Sequence, residues 1–380
     1  MSSQRVLFTT TSGTGHLMPL VPVVEAAREA GHAVAVAAPE EVSTKVLDLG
    51  FECLPFGGLR LDDPQRVAVF ERMAEVPESE IEALIGREIF GRINTTAALP
   101  GLLDAMRAWR PDVVVSDAGE CAGSIGSEVL DVPWMRVTPT MMSLAGFDRH
   151  MASGLVELRA EHGLDDDRDG DRLTRAPLVG YFPESFEGPA DALADALRIR
   201  DPRLGSRETA DDVVYVSFGT ESSGMPFFED LVRASIDVAL QLGLGAVVAV
   251  GRGVDLTRFG PIPAGVELVE WVDQAAVMAR CRAVVCHAGA GTTLGALSAG
   301  VPIVAVPMFA DQPPIAARVQ AARCGVAVTT GEGLAGDLCS ALSTVLASPP
   351  EGCERMRAEI AALAEVTAAV ELIEQVADGR

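Results

Sequence analysis

The chain is predicted to fold as an α/β protein of two doubly wound domains, each a mostly parallel sheet covered by helices on both faces. Three observations carry this. Apolar runs such as Val113-Val114-Val115 and Ile303-Val304-Ala305-Val306 are continuous rather than alternating, which marks strands covered on both faces. Strand-like and helix-like segments alternate along the chain, as βαβ units require. At 380 residues the chain exceeds what a single core usually serves, so two domains are expected.

The elements follow in order. Arg5–Thr10 reads as a strand, Thr11–Gly15 as a turn and Pro19–Ala30 as a helix. Gly31 suits the position just past a helix end, and Ala33–Ala38 is the next strand, closed by Pro39. Asp165–Asp171 is acidic and glycine-containing, a solvated surface loop rather than a metal site. The polar stretch Arg198–Asp212, with Pro202 and Gly205, marks the domain boundary. In the second half, Val213–Phe218 is a strand, Phe227–Gln241 a helix, and Ala246–Val250 and Val266–Glu270 are strands. Ala283–Cys286 is a strand, Thr292–Ala299 a helix and Ile303–Val306 a further strand. From Pro350-Glu351 to Ala377 the Ala/Glu/Leu-rich run reads as one helix. The expected division is 1–205, 206–362, and a closing helical stretch, 363–380, crossing back onto the first domain.

Composition narrows the partners. Acidic residues number 54 and basic ones 30, a formal net charge of −24. Such a surface repels nucleic acid and anionic membranes, so neither is expected as a partner. The seven cysteines are scattered and odd in number, which argues against a disulfide framework or a zinc cluster. The start, MSSQRVLFTTT, lacks a basic and then apolar leader, and no apolar run reaches the ~18 residues of a membrane span. The expected location is the cytoplasm.

The most informative segment is Val284-Val285-Cys286-His287-Ala288-Gly289-Ala290-Gly291-Thr292-Thr293-Leu294-Gly295. A buried strand, a small-residue turn and a helix start make an anion site. First-turn N–H groups and the helix dipole favour negative charge, and glycines let the backbone come close. Thr292 and Thr293 add hydroxyls, and His287 adds a donor at the strand's carboxyl end. No Lys follows the glycines, so this is not a P-loop.

Other candidates sit at strand ends. His16, in Gly13-Thr14-Gly15-His16, follows the first strand and suits a general base. Asp117 ends the strand Val113–Asp117 and suits a carboxylate that fixes an imidazole tautomer, with Glu120 as the rival partner. Ser217-Phe218-Gly219-Thr220, Trp271-Val272-Asp273-Gln274 and Asp311-Gln312 project to the rim that carries His287. Trp271 suits stacking on a flat base, and Asp311-Gln312 suit sugar hydroxyls. Gly289-Ala-Gly291 and Gly13-Thr-Gly15 imitate a dinucleotide fingerprint, but Leu294 and Met18 occupy the place of its third glycine. An NAD-dependent dehydrogenase is therefore disfavoured.

Taken together, these motifs resemble the GT-B glycosyltransferases, the plant and bacterial enzymes that use nucleotide sugars to modify natural products. The resemblance covers roughly 1–50, 110–140 and 213–330 and is weakest over 55–105 and 140–205. Glu270-Trp271-Val272-Asp273-Gln274 is similar to the family's W-[VA]-P-Q element, with Asp273 in place of Pro. His287-Ala-Gly-Ala-Gly-Thr-Thr, Ala299-Gly-Val-Pro and Asp311-Gln312 match the rest of its donor motif. The wording and short length are nearest to the antibiotic-pathway enzymes.

The resemblance implies two Rossmann-like domains facing across a cleft. It implies transfer of a glucose-type sugar or deoxysugar from a TDP- or UDP-sugar to a hydroxyl of an apolar aglycone (a polyketide, macrolide, enediyne or aromatic). Inversion without metal or cofactor is expected, with His16 as base oriented by Asp117. Trp271, the Val272 backbone and Gln274 would serve the nucleoside. His287 and the turn Gly289, Ala290, Gly291, Thr292, Thr293 would bind the diphosphate, with Thr220 also facing the donor phosphates. Ser217, Gly219, Gly13, Thr14 and Gly15 would be donor-binding as well, and Asp311 and Gln312 would hold the sugar. Phe70, Met73, Phe90, Met141, Met142 and Phe147 are acceptor candidates. A nucleotide-sugar 2-epimerase and an inactive activator partner of a glycosyltransferase are the alternatives. The oligomeric state is left open, a homodimer included.

Overall fold

The computed structural model describes residues 3–59, 63–73, 75–142, 146–188, 195–205, 211–219 and 221–379. The chain divides into two units. One comprises Met1–Gly180, Ala190–Ile199 and Ala364–Arg380, the other Tyr181–Pro189 and Arg200–Leu363.

The first unit is built on β1 (Arg5–Thr9), β2 (Ala33–Pro39), β3 (Cys53–Phe56), β4 (Val113–Asp117), β5 (Trp134–Val137), β6 (Leu178–Gly180) and β7 (Leu197–Arg198). The strands pair in the order β3-β2-β1-β4-β5-β6-β7, all parallel. Val6, Leu7, Phe8 and Val113, Val114, Val115 are wholly buried, which is why both strands read as unbroken apolar runs. The winding reverses between β1 and β4. At such a switch point the carboxyl ends of the two strands open a crevice where ligands bind.

The first helix runs Thr14–Glu29 and starts five residues before the expected Pro19. Gly13, at φ 98°, makes the turn out of β1, and Pro19 and Pro22 lie inside the helix. A proline there only omits an N–H donor and strains the preceding turn, so Pro19 did not mark the boundary. His16 is consequently a first-turn helical residue. The helix closes at Gly31, where the His32 N–H returns 3.1 Å to the Ala27 carbonyl.

The poorly patterned stretch before β4 contains a π-helix, Ile85–Asn94, followed directly by the α-helix Thr95–Trp109. The helix Gly146–Gly154 packs on the π-helix at backbone distance. A Cβ on Gly91 would lie 2.3 Å from the Met151 carbonyl oxygen, and one on Gly154 would lie 2.1 Å from that of Arg87. This contact aims Phe90 toward His16.

The second unit contains β8 (Val213–Ser217), β9 (Gly245–Ala249), β10 (Val266–Val269), β11 (Ala283–Cys286), β12 (Ile303–Ala305) and β13 (Gly325–Ala327). They pair β10-β9-β8-β11-β12-β13, again parallel, with the switch point between β8 and β11. Val214, Val216, Val248, Val285 and Val304 form its core with Phe228 and Leu231 from the helix Phe228–Gln241. Tyr181–Pro189 belongs to this unit although it precedes the expected boundary at 205. Arg318 holds it there by donating to the carbonyls of Phe186 and Ser185.

The carboxyl-terminal stretch is two helices, Glu351–Ala361 and Thr367–Ala377, not the single helix expected. The buried stripe Cys353, Met356 and Ile360 is out of phase with Ala369, Val370, Ile373 and Val376. On one continuous helix the two stripes would point to nearly opposite sides. The break lets Ala364 pair with Ile199 and lets the last helix pack within the first unit, where Glu374 meets His32 at 3.4 Å. Among the described residues no helix is long and apolar enough to cross a membrane. All seven cysteines are free.

Candidate active site

In the first unit the switch point brings two of the sequence candidates together. Asp117, the last residue of β4, is fully buried. Its Oδ2 lies 2.8 Å from Nδ1 of His16, whose side chain is about one-quarter exposed (25%). The other oxygen accepts the Gly119 N–H at 3.3 Å. A buried carboxylate beside Nδ1 accepts the hydrogen bond of the Nδ1–H tautomer and so leaves Nε2 as the basic atom of the neutral ring.

Glu120, the rival partner, is committed elsewhere. It caps the helix Cys121–Leu130, accepting the N–H of Ala122 at 2.7 Å and of Gly123 at 2.8 Å. It also accepts the Thr9 hydroxyl at 2.6 Å. Burial pushes its pKa up to about 7.

The six acceptor candidates divide. The Phe90 ring centroid lies 5.7 Å from that of His16 and 5.4 Å from that of Phe147. These two rings form an apolar wall beside the imidazole. Phe70 is exposed, and Met73 packs on the small cluster of Val69, Leu84, Ile89 and Ile93. Met141 and Met142 are each only 3% exposed. Met142 packs so closely on Gly180 that a Cβ there would come within 2.9 Å of its thioether. The sequence could not separate these two from ligand-facing methionines, because a buried Met has the same apolar signature.

In the second unit, Ser217 ends its strand, and Trp271, His287 and Asp311-Gln312 follow the carboxyl ends of theirs. Nδ1 of His287 faces the Ser217 carbonyl at 3.4 Å. The ring is wedged between two glycines. A Cβ on Gly219 would lie 2.8 Å from its Nε2, and one on Gly289 only 2.3 Å. Burial lowers the His287 pKa to about 4, so the imidazole is neutral near pH 7. The next helix runs Ala290–Ala299, two residues longer at its start than expected, with Gly289 at its N-cap and no side chain capping it. Its first N–H groups are therefore directed outward at an anion-binding terminus. Ala288, a non-glycine residue, sits at φ 63°, a strained conformation of the kind that clusters at ligand sites.

Thr292 accepts a 3.2 Å hydrogen bond from Gln274 Nε2, which also donates to Tyr215 Oη. Thr293 is fully buried, unlike the ligand-facing hydroxyl expected of it. Its place in the first helical turn points it toward the core. Trp271 is half exposed, with the Arg252 guanidinium 5.1 Å from its ring centroid. Asp273, standing where the resembled motif has Pro, caps the helix Gln274–Met278 by accepting the Ala276 N–H at 3.2 Å. Gln312 Oε1 accepts the N–H groups of Met308 and Phe309, bracing the turn before Asp311. Thr220 lies outside the described residues. Sequence reasoning missed Arg252 and Phe90's link to His16. Arg252 follows a strand end, which was the available signal. Phe90 had none, because π-helical spacing matches neither standard period.

Two parallel-sheet Rossmann-like units, each with a histidine just past a strand at its switch point, are the architecture shared by the GT-B glycosyltransferases to which the chain is structurally similar. Residues 242–376 match the erythromycin biosynthesis protein CIII-like C-terminal domain. The relatives and solved structures to which the chain is similar are glycosyltransferases, several of them from antibiotic biosynthesis. It is 29% identical over 341 residues to the L-demethylnoviosyl transferase of Streptomyces niveus, covering 85% of each chain. It is 26% identical over 400 residues to the demethyllactenocin mycarosyltransferase of Streptomyces fradiae, covering 97% of this chain and 86% of that one. Among solved structures, the Streptomyces sp. SF2575 glycosyltransferase SsfS6, complexed with thymidine diphosphate, superposes with a TM-score of 0.76 at 26% identity. That match covers 98% of this chain and 99% of SsfS6.

Proposed function

We propose that this glycosyltransferase moves a sugar from a TDP- or UDP-sugar to a hydroxyl of an apolar natural-product aglycone, with inversion and without a metal or cofactor. The observation that carries the reading is the 2.8 Å contact between His16 Nδ1 and the buried Asp117 carboxylate at a sheet switch point. An alcohol is a poor nucleophile until a base removes its proton in the transition state. His16 Nε2 is that base, and Asp117 holds the tautomer and stabilises the imidazolium that forms. Phe90 and Phe147 supply apolar surface for the acceptor beside it.

The leaving diphosphate gains charge as the anomeric C–O bond breaks. The uncapped helix start at Ala290, with His287 and Thr292 around it, is preorganised to receive that charge. Trp271 stacks the base, the Val272 backbone and Gln274 steady the nucleoside, and Asp311 and Gln312 meet the sugar. A single displacement on an α-linked donor yields a β-glycoside. Thymidine diphosphate in the SsfS6 complex supports a thymidine donor.

The test is transfer from a TDP-sugar in the presence of EDTA to a panel of aromatic and macrolide acceptors, with the anomeric configuration read by NMR. The β-linked product is expected, and His16→Ala should lower kcat by roughly 10²–10⁴ with TDP affinity unchanged. Full turnover by His16→Ala would overturn the base assignment. An α-linked product would overturn the single displacement.

A further inference from the structure

Beneath the His16–Asp117 pair lies a buried polar cluster that the reaction as described does not use. Glu120 is 5% exposed, and its two oxygens accept three donors: the Ala122 and Gly123 N–H groups and the Thr9 hydroxyl. Thr9 Oγ1 lies 3.0 Å from Ser116 Oγ. The cluster closes over a glycine. A Cβ on Gly123 would lie 2.3 Å from Ser116 Oγ, 2.6 Å from Thr9 Oγ1 and 2.8 Å from Glu120 Oε2. A helix needs no glutamate for its cap, since Ser, Thr or Asn serve without a buried charge. A carboxylate retained here at a desolvation cost points to a role beyond capping.

The cluster is joined to the pair through the loop Asp117-Ala118-Gly119-Glu120. The Glu120 N–H donates to the Asp117 carbonyl at 2.8 Å, and the Gly119 N–H donates to the Asp117 carboxylate. Gly119 also abuts the His16 ring, where a Cβ would lie 3.0 Å from Cε1. We propose that Glu120 is a positioning residue for the His16–Asp117 pair, and that its ionised form alone holds the loop in the working arrangement. The proposal rests on His16 being the base.

The chemistry runs through hydrogen-bond direction. An ionised Glu120 accepts all three donors. A protonated one must donate, and neither backbone N–H can accept. Its proton must go to Thr9 Oγ1, which then donates to Ser116, so the Glu120–Thr9–Ser116 chain reverses beside Asp117. Protonation also removes a negative charge that favours the imidazolium formed on His16. Both effects slow the reaction. The groups facing Glu120 are Thr9 on β1, Ser116 and Asp117 on β4, and Cys121 on its own helix. His16 is linked to it through Asp117, whose carboxylate lies 2.8 Å from Nδ1. Glu120 also lines a small cavity together with Thr11, Ser12 and Asn94. Burial places its ionisation at about 7, in the working pH range.

The test is the single-turnover rate from pH 5 to 9 for the full-length enzyme and for Glu120→Gln, Thr9→Val and His16→Ala, with folding checked by circular dichroism. Two required deprotonations give the wild type an acid limb of slope two in log rate. Glu120→Gln fixes the neutral form, so its limb should fall to slope one, with a maximal rate roughly 10- to 100-fold lower. Thr9→Val leaves Glu120 titrating but removes the hydroxyl bond that favours its ionised form, so it should keep slope two with the acid limb moved to higher pH. If Glu120→Gln does not fold, Thr9→Val decides. A Glu120→Gln variant that keeps the slope-two limb, whether at full rate or uniformly slowed, or a Thr9→Val variant whose limb does not move, would overturn the proposal. Full activity in His16→Ala would instead bring down the reading beneath it.

Discussion

The two site histidines are held in opposite ways, and their surroundings separate their roles. His16 has a buried carboxylate on Nδ1, while His287 has a carbonyl on Nδ1 and two glycines against Nε2. Only the first arrangement stabilises an imidazolium. Asp117→Asn keeps the shape but loses that charge, so kcat should drop by roughly 10²–10⁴ while TDP affinity stays within twofold. Steady-state kinetics beside calorimetry would check this. Gly289→Ala puts a methyl within 2.3 Å of His287 Nε2 and must displace the ring. Its TDP Kd should rise by roughly tenfold or more, as expected when a bound anion loses a well-placed donor worth about 1.5–3 kcal/mol. His16, Asp117, Trp271 and His287 were legible because each lies at or just beyond a strand's carboxyl end. The choice between Asp117 and Glu120 was not legible. Both are acids near one strand end, and only the fold shows Glu120 turned back into its helix cap.

At the scale of elements, the strands were plain in the sequence because burial on both faces leaves an unbroken apolar run. Helix boundaries were less so. Pro19 concealed a start at Thr14, and an Ala/Glu/Leu-rich composition concealed the break between Ile360 and Thr367, although the shifted apolar stripe recorded it. The π-helix Ile85–Asn94 was invisible to both the helical and the strand period. It has a structural signature that mutation can reach. Gly91→Ala drives a Cβ to within 2.3 Å of the Met151 carbonyl. Backbone must move, so a loss of about 1–3 kcal/mol in urea unfolding is expected. Activity should fall as well, because Phe90 shifts against His16. Unchanged stability would mean that the helix contact is not close-packed.

At the scale of the whole molecule, two buried groups pull the pH dependence of stability in opposite directions. Glu120 is raised from 4.5 to about 7 on folding. Between those values the folded carboxyl keeps a proton that the unfolded one has lost, so its contribution falls as pH rises through that window. His287 is lowered from 6.5 to about 4. In that window the unfolded imidazole carries the proton, so its contribution falls as pH drops. Each effect is bounded by about 1.4 kcal/mol per pH unit. Removing Glu120's titration should therefore leave the His287 slope exposed. The Tm of Glu120→Gln, measured against wild type from pH 5 to 7, should gain on the wild type as pH rises. A constant difference would mean that Glu120 titrates normally.

The net charge of −24 sets the molecule's field against any phosphate ligand. On the proposed reading the donor is captured locally, by the helix start at Ala290 and the neutral His287 beside it. The most direct measurement is a calorimetric titration with TDP, UDP and NAD in EDTA. The expected result is micromolar binding of TDP or UDP, weakened by His287→Ala and Thr292→Ala, with no binding of NAD. Binding of NAD alone, or nucleoside diphosphate binding only after a divalent metal is restored, would contradict the account.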